Sequence, residues 1–524
     1  MIEFNYIKIR KMIYLYMLLP LFCFISFYLH FVLGGFFLIV LYILSIEIVK
    51  IQRKKNRKGG KIQICNNEAK PSNLIQIEIR YLVVFAVVAI IWSFLGGQGN
   101  LYYQSGDWNI RNAVYRDLIY RDWPVIYHDY NKALVYYIGY WLPAAAITKL
   151  VGFMIPTIYL TESAFFIGNI FLWIWTSLGI IFVELLLFTY AKPRNGRRIL
   201  LIPLVMVFFS GMDILGVIRD VIVRGEQFQG LHIEWWSTGL QFSSLTTCLF
   251  WVFNQTIIPW MAILCVLQEE KMRNYIFIGI CTLAAGPIPM LGIAVYMLLN
   301  GIYKGIDSII NRNLKGFFQE VFSPVNCLAI FILPVFLLYY KSNQMITNGM
   351  GTGSTIFSMF EIVTITDRFL IEALLFIMIE VGIYLVLLYR TFKSDIFYYI
   401  TFASAFIAPI VKISGADDFV TRFSIPLVMV VASMCLKYLV NYDTNRVKSK
   451  MEKLIGIVLC TCLFIGSATP MTEFFRGYNA MLQTGKIANV YDEIKTFDQD
   501  MAFSFFTVSD YKNSAFFKYL MPDK

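Results

Sequence analysis

The sequence predicts an all-α, polytopic membrane protein of about 13 transmembrane helices, with a long first extracytoplasmic loop and a short extracytoplasmic C-terminal tail. Of its 524 residues, 58% are hydrophobic and only 15% are charged, and the mean hydropathy is +0.63. Soluble globular proteins are less apolar than this. Apolar runs recur along almost the whole chain, at the length of roughly 20 residues that a helix needs to cross a bilayer. Short clusters of Lys and Arg separate the runs, as in the cytoplasmic loops of membrane proteins.

The order of apolar runs and basic linkers gives a predicted topology. The N-terminus is expected in the cytoplasm, because the linkers at 50–61, 192–198 and 390–393 are rich in Lys and Arg. An odd number of crossings then leaves the C-terminal tail outside. The predicted spans are, in order, about 12–29, 31–49, 79–95, 163–190, 199–217, 246–267, 275–287, 288–302, 325–340, 369–389, 396–412, 423–440 and 453–469.

The first apolar stretch is predicted to be a retained membrane hairpin. Lys8, Arg10 and Lys11 precede it, as in a signal peptide, but the stretch continues to residue 49 without a small-residue cleavage site and ends in a second basic cluster. Basic residues at both ends indicate two short crossings that begin and end in the cytoplasm. Three parts follow: the hairpin with its basic linker at 1–61, a transmembrane domain at 62–469 with an outer loop at 96–162, and an extracytoplasmic tail at 470–524, which is expected to dock on the outer loops because it is small for an independent domain.

One further segment, at 133–152, is apolar enough to span a membrane. Counting it as a crossing would move the basic KPRNGRR linker to the outside. It is also rich in Tyr and Trp, which favour the boundary between lipid and water. We therefore predict an interfacial helix on the outer surface.

Composition excludes several classes of function. The net charge of +11 is spread over short connectors and forms no continuous basic stripe, so no nucleic-acid partner is expected. The sequence has no GxxxxGK[ST] loop, which excludes ATP-driven transport by this chain alone. Its three histidines, His30, His128 and His232, are too scattered to suggest a zinc site. No cofactor is predicted; acidic residues on the outer face are compatible with a divalent cation, but nothing in the sequence specifies one.

The outer loop at 96–162 carries the strongest candidate for chemistry. Asp107 lies about a dozen residues beyond a predicted span and is followed by Arg111, Arg116 and Arg121. A carboxylate at the bilayer surface can act as a general base on an acceptor hydroxyl, and arginines can neutralise a phosphate leaving group. The alternative is a solvated helix whose arginines pair with nearby acids at helical spacing. The spacing alone favours neither interpretation.

The order of these features resembles a known superfamily. A basic N-terminal end, a span, an outer loop with an early Asp, the dipeptide Trp123-Pro124 and an aromatic juxtamembrane segment are similar to the GT-C integral membrane glycosyltransferases. Those enzymes use polyprenyl-phosphate-linked sugars on the extracytoplasmic side, and an acid in their first outer loop is the catalytic base. The resemblance implies that role for Asp107. This chain differs in having Trp108 where a second acid is usual, and in an additional N-terminal hairpin, so the superfamily's first span would be its third.

Two later outer segments add candidate binding residues. Glu234 lies in the sequence HIEWW, and the resemblance implies that a second acid of this kind assists catalysis or binds metal. The adjoining Trp235 and Trp236 suit either a sugar face or an interfacial anchor. Arg422, in GADDFVTRFSIP, is expected either to bind a lipid phosphate at the membrane surface or to pair with Asp418 four residues earlier.

Acidic residues within predicted spans are costly, which makes each a functional hypothesis. Asp213, Glu372 and Glu380 are such residues. Glu372 and Glu380 are eight positions apart and would share one broad face of a regular helix, about 80° apart. They are candidates for a substrate groove, or for a proton path in a transporter.

These observations favour a bacterial plasma-membrane glycosyltransferase. It would move a sugar from a polyprenyl-phosphate donor to a glycan, lipid or protein acceptor, within the bilayer and on the extracytoplasmic side. Asp107 is the predicted base, and the predicted substrate-binding residues are Arg111, Arg116, Glu234, Glu372 and Arg422. A polysaccharide polymerase or ligase is an alternative, although its key loop should come late in the chain. A secondary transporter or lipid flippase, which should have inverted repeats and broken helices, and a structural scaffold are the others.

Overall fold

The structure is a computed structural model that describes residues 2–58, 74–193, 196–225, 227, 230, 232–237, 239–343, 360–363, 366–413, 419–442, 449–487 and 496–522. Helices make up most of these residues, which confirms the all-α class. The α-helices are Tyr6–Tyr28, Phe31–Lys58, Ile79–Leu95, Trp108–Tyr120, Leu142–Met154, Ser163–Ala191, Leu201–Phe208, Asp213–Arg219, Leu245–Val252, Ile257–Gln268, Tyr275–Ala285, Pro287–Ile310, Leu314–Val321, Pro324–Ile330, Leu333–Lys341, Asp367–Ile377, Ile383–Phe392, Ile396–Ile410, Phe419–Phe423, Ile425–Asn441, Lys450–Gly466, Ala468–Thr484 and Ala515–Tyr519.

Short strands form three small antiparallel pairings at the edges of the helical bundle. One sheet joins Ile2–Asn5 to Leu74–Ile77, and another joins Phe360–Ile362 to Val411–Ile413. The third has three strands, Ile126–Tyr127, Lys132–Leu134 and Thr507–Ser509, with Lys132–Leu134 in the middle.

Among the described residues, seven helices are long and apolar enough to cross a membrane, and two bent helix pairs raise the number to nine. Four more predicted spans are helices of 10–17 residues, shorter than a straight crossing needs. Each of the thirteen predicted segments therefore corresponds to an apolar helix or helix pair. The helices are compatible with a multi-pass membrane protein, while thirteen crossings and their orientation stay predictions.

Two predicted spans are not continuous helices. The span predicted at 199–217 bends by 41° between Phe208 and Asp213, and the one predicted at 246–267 bends by 104°. The first bend contains Gly211, where a Cβ would lie 1.9 Å from Oε2 of Glu380. Near the second bend lies Pro259, whose ring nitrogen cannot donate the helical hydrogen bond to the carbonyl of residue 255. The prediction of single straight helices was wrong at both places because close packing and proline interrupt the apolar runs.

The segment at 133–152 is only partly helical, contrary to prediction. Its start belongs to the strand Lys132–Leu134, a 3₁₀ turn follows at Ile138–Tyr140, and the α-helix is limited to Leu142–Met154. Pro143 lies in the first turn of this helix, where its fixed φ and missing N–H are tolerated. At 1.5 Å per residue the helix is about 20 Å long, too short to cross a bilayer alone.

The C-terminal tail packs on the loop at 96–162, as its small size predicted. Val135 N donates to Phe506 O at 2.9 Å, next to the shared three-stranded sheet. Asp117, buried in the loop, accepts hydrogen bonds from Tyr127 Oη at 2.7 Å and from the backbone N of Phe497 at 3.2 Å. Residue 470, the predicted start of the tail, lies inside the helix Ala468–Thr484, which follows Lys450–Gly466 with only a slight bend.

Candidate functional site

A cavity of about 480 Å³ lies where four separate parts of the chain meet. These parts are the start of the helix Trp108–Tyr120, the segment 232–252, the short helix Phe419–Phe423 and the helix Ala468–Thr484. Its polar and aromatic lining consists of Asp107, His232, Glu234, Trp235, Ser237, Gln241, Ser243, Thr247, Trp251, Thr421, Arg422, Thr472, Glu473 and Arg476.

Three of the residues predicted separately from the sequence line this one cavity. They are Asp107, Glu234 and Arg422, which belong to three different segments of the chain. A fourth, Arg111, supports the cavity through its contact with Asp107. Asp418, the alternative partner proposed for Arg422, lies outside the described residues.

Asp107 is held at the edge of the cavity by a neighbouring arginine. Arg111 Nη2 donates to Asp107 Oδ2 at 3.1 Å, at the helical spacing that the sequence suggested. The Asp107 side chain is 48% exposed, whereas that of Arg111 is 5% exposed. The buried guanidinium therefore orients one carboxylate oxygen, while the carboxylate as a whole keeps access to the cavity. Such a carboxylate can accept a proton from a bound hydroxyl.

Trp108 anchors the helix that follows Asp107. Its indole Nε1 donates to Phe250 O at 2.9 Å, and its ring stacks on Phe253 with centroids 4.6 Å apart. Both partners belong to the bent segment that continues from the cavity wall. The tryptophan found in place of a second acid thus ties the candidate base to the opposite wall.

Glu234 lies behind the cavity wall in a network of three donors. Its carboxyl accepts hydrogen bonds from Gln241 Nε2 at 2.6 Å, Ser244 N at 2.9 Å and Thr247 Oγ1 at 2.7 Å. Burial, together with the negative charges of Asp213 and Glu473, raises the pKa of Glu234 to about 8, although its backbone and hydroxyl donors act in the opposite direction. This arrangement suits a carboxyl that holds the wall in place.

The cavity has a cationic side that sequence reasoning described only in part. Arg476 contacts Glu473 at 3.4 Å, lies over the ring of Trp251 and places Nη2 3.5 Å from Nδ1 of His232. Trp251 Nε1 also donates to Glu473 Oε2 at 2.8 Å. Burial and the adjacent guanidinium lower the pKa of His232, which favours a neutral imidazole. Together with Arg422, Arg476 gives the cavity two guanidinium groups.

Glu473 and Arg476 were missed because the last predicted span ended at 469. They lie in the sequence TPMTEFFRGY, where an acid and a base three positions apart continue the helix beyond the apolar run. That spacing was the available signal.

The two adjacent tryptophans have different environments. Trp235 is 56% exposed, lines the cavity and stacks on His232 with ring centroids 4.2 Å apart. Trp236 is 5% exposed, and its Nε1 donates to Glu380 Oε1 at 3.1 Å. Only Trp235 is therefore placed to meet a ligand in the cavity.

Arg116 and Glu372 are not among the described residues that line the cavity. Arg116 donates to Glu162 Oε1 at 3.1 Å. Glu372 accepts from Arg219 at 2.8 Å and from Arg224 at 2.5 Å. Both residues therefore have local ion pairs, and the structure gives no support for contact with a substrate in the cavity.

Glu380 does not share a regular helical face with Glu372. A π-helical turn at Met378–Gly382 interrupts the helix between them, so the 80° separation expected from eight residues does not apply. Glu380 instead lies fully buried beside Asp213 at the first helix break, within hydrogen-bonding reach of its carboxyl.

A metal ligand set is not evident in the described part of the chain, where no group of three or more His, Cys, Asp or Glu residues is arranged to hold an ion. Comparisons with known protein families, curated proteins and solved structures found no match to this chain.

Proposed function

We propose that this chain is an integral membrane glycosyltransferase that moves one sugar from a polyprenyl-phosphate donor to a hydroxyl of a glycan, lipid or protein acceptor. The observation that supports it most directly is the cavity itself. Asp107, Glu234 and Arg422 were selected individually from sequence, and they line a single cavity with a second arginine, Arg476, and an accessible Trp235.

The proposed reaction uses the two sides of the cavity differently. Asp107 accepts the proton of the acceptor hydroxyl while its oxygen forms a bond to the anomeric carbon. The bond between that carbon and the phosphate oxygen breaks, and the phosphate departs with the electron pair. Arg422 and Arg476 stabilise the negative charge that develops on the phosphate, since charge-assisted hydrogen bonds from guanidinium groups are strong in a partly desolvated site.

A secondary transporter or lipid flippase is the second candidate. The observation that favours it is the contact of Asp213 with Glu380, two buried acids at the break of a predicted span. Acids at membrane depth and broken helices are frequent in proteins that move ions or lipids. A polysaccharide polymerase or ligase would use the same arginine-bearing cavity on a polyprenyl-linked glycan.

The first test is sugar transfer by the purified full-length protein in liposomes, supplied with a panel of polyprenyl-phosphate sugars and hydroxyl acceptors. Asp107→Asn should lower kcat by about 100-fold or more, because it removes the proton acceptor and keeps the side-chain size. Asp129→Asn is the matched control, since Asp129 is an exposed acid of the same loop that does not line the cavity.

The outcomes separate the candidates. Transfer lost in Asp107→Asn and kept in Asp129→Asn supports the enzyme and its base together. Transfer unaffected in both variants keeps the enzyme and removes Asp107 as base. No transfer by a monodisperse wild-type protein, combined with lipid or ion movement across the liposome membrane that fails in Glu380→Gln, favours the transporter.

A further inference from the structure

An apolar groove of about 530 Å³ lies beside the cavity and plays no part in the reaction as described above. One wall is the helix Ile79–Leu95, the other is Leu201–Phe208 with the residue before it, and Phe474 closes one end. The lining is aliphatic and aromatic. Its one polar hydrogen, on the indole of Trp92, is already donated to Thr246 Oγ1 at 3.0 Å.

The groove and the cavity share two helices. In the helix Ala468–Thr484, Glu473 lines the cavity and the next residue, Phe474, lines the groove. In the helix Leu245–Val252, Thr247 lines the cavity, while Thr246 bonds Trp92 and the Val207 carbonyl on the groove side. A charged site and an apolar channel are therefore separated by a single helical layer.

The groove also has a direction relative to the cavity. Its lining extends along the first helix from Leu95 to Val84, about 16 Å at 1.5 Å per residue. Leu95 lies next to the loop that leads to Asp107, and Phe474 lies on the turn that carries Glu473 and Arg476. The groove therefore begins beside the charged groups and continues away from them along apolar helices.

The geometry points to this groove as the seat of the first isoprene units of a polyprenyl-phosphate donor, with the phosphate at Arg422 and Arg476. This inference rests on the proposed function. An amphipathic ligand with an anionic head and an apolar tail matches the charge of the cavity and the lining of the groove at once. Neither a free sugar phosphate nor a soluble nucleotide sugar would use the groove.

A second apolar groove provides the comparison. It is about 690 Å³ in volume and is lined by residues from Leu439 to Phe464, including Ile457. Its nearest lining residue on the last helix pair, Phe464, precedes Thr472 of the cavity by about 12 Å along the helix axis. The second groove thus lacks the adjacency to arginine that selects the first.

The test fills each groove with the same kind of substitution. Leu204 is 53% exposed in the first groove and Ile457 is 65% exposed in the second, so Leu204→Trp and Ile457→Trp both add bulk to open space. Transfer is measured with one sugar on a full-length polyprenyl phosphate and on a short, water-soluble prenyl phosphate. Leu204→Trp should raise KM for the long donor about tenfold, the loss of roughly two buried methylenes, and leave the short donor unchanged. Ile457→Trp should change neither.

A binding measurement keeps the inference testable without turnover. p-Benzoylphenylalanine is introduced at position 204 or 457, and the protein is irradiated with radiolabelled polyprenyl phosphate in vesicles that contain excess phosphatidylglycerol. We expect labelling at 204 that persists against phospholipid, and little at 457. Equal labelling at both positions, or labelling at 204 abolished by phospholipid, would mean that bilayer lipid fills the groove and would overturn the inference.

The two proposals fail in different ways. Normal transfer with an unchanged long-donor KM in Leu204→Trp removes the groove and keeps the transferase. Selective labelling at 204 by a protein that transfers no sugar keeps the isoprenoid site and removes the transferase.

Discussion

Glu234 and Asp107 are both carboxylates at one cavity, yet their surroundings give them different chemistry. Asp107 has one arginine partner and is half exposed, so it can meet a substrate. Glu234 is buried and accepts three hydrogen bonds from its own wall. Sequence reasoning ranked these two acids correctly by position but had no means of seeing burial, because burial depends on residues distant in the chain.

The raised pKa of Glu234 predicts a pH-dependent stability. The folded protein holds a proton at Glu234 that the unfolded chain releases above about pH 4.5, so this stabilisation is complete below that pH and is lost as pH rises through about 8. Glu234→Gln should therefore flatten the decline of the thermal midpoint between pH 5 and pH 9 by about a few degrees, measured on detergent-solubilised protein. Glu162→Gln, at an exposed acid, is the control. An unchanged pH profile in Glu234→Gln would contradict the prediction.

The polar residues that were predicted share one property: each lies close to the boundary of an apolar run. Asp107, Glu234 and Arg422 could be selected because a charge near a membrane surface is expected to have a task. Glu473 and Arg476 were hidden by the end of a hydropathy run, although the helix continues through them. Their role depends on contact with Trp251 and His232, which no local pattern specifies.

At the scale of elements, the sequence predicted where helices occur better than where they break. All thirteen apolar segments are helical, because hydropathy over about 20 residues is a strong local signal. The breaks near Gly211 and Pro259 depend on what packs against the backbone, and the strand Lys132–Leu134 depends on a partner in the distant tail. Those contacts are long-range, so periodicity does not reveal them.

The break at Gly211 gives a sharp test of the packing around Glu380. A Cβ at Gly211 would lie 1.9 Å from Glu380 Oε2 and 2.8 Å from its Cα, so Gly211→Ala forces the two segments apart. We expect destabilisation of about 1–3 kcal/mol or more, seen as a lower thermal midpoint in detergent. Gly35→Ala is the matched control, because Gly35 lies within a helix with nothing within 4 Å of an added Cβ, and alanine there should be neutral or stabilising. Equal midpoints for the two variants would show that the break is not packed in this way.

For the molecule as a whole, the cavity bears on the predicted topology. Thirteen crossings with a cytoplasmic N-terminus put the loops at 96–162, 218–245 and 414–421 on the same side as the tail. The cavity is built from the first three of these regions, or residues next to them, and from the helix at the start of the tail. Segments that must share a compartment to form one site were thus assigned to one compartment by charge bookkeeping alone.

Cysteine accessibility tests that assignment directly. In a chain with its native cysteines replaced, Asp129→Cys lies at an exposed position of the 96–162 loop, and Lys393→Cys lies at an exposed position of a basic linker. An impermeant thiol reagent applied to intact cells should label the first variant, whereas the second should react only after permeabilisation, because Lys- and Arg-rich linkers stay in the cytoplasm. The reverse pattern would invert the molecule and turn the cavity toward the cytoplasm. The donor would then have to be supplied from the inner leaflet, so this experiment decides from which side the polyprenyl-phosphate sugar must be offered.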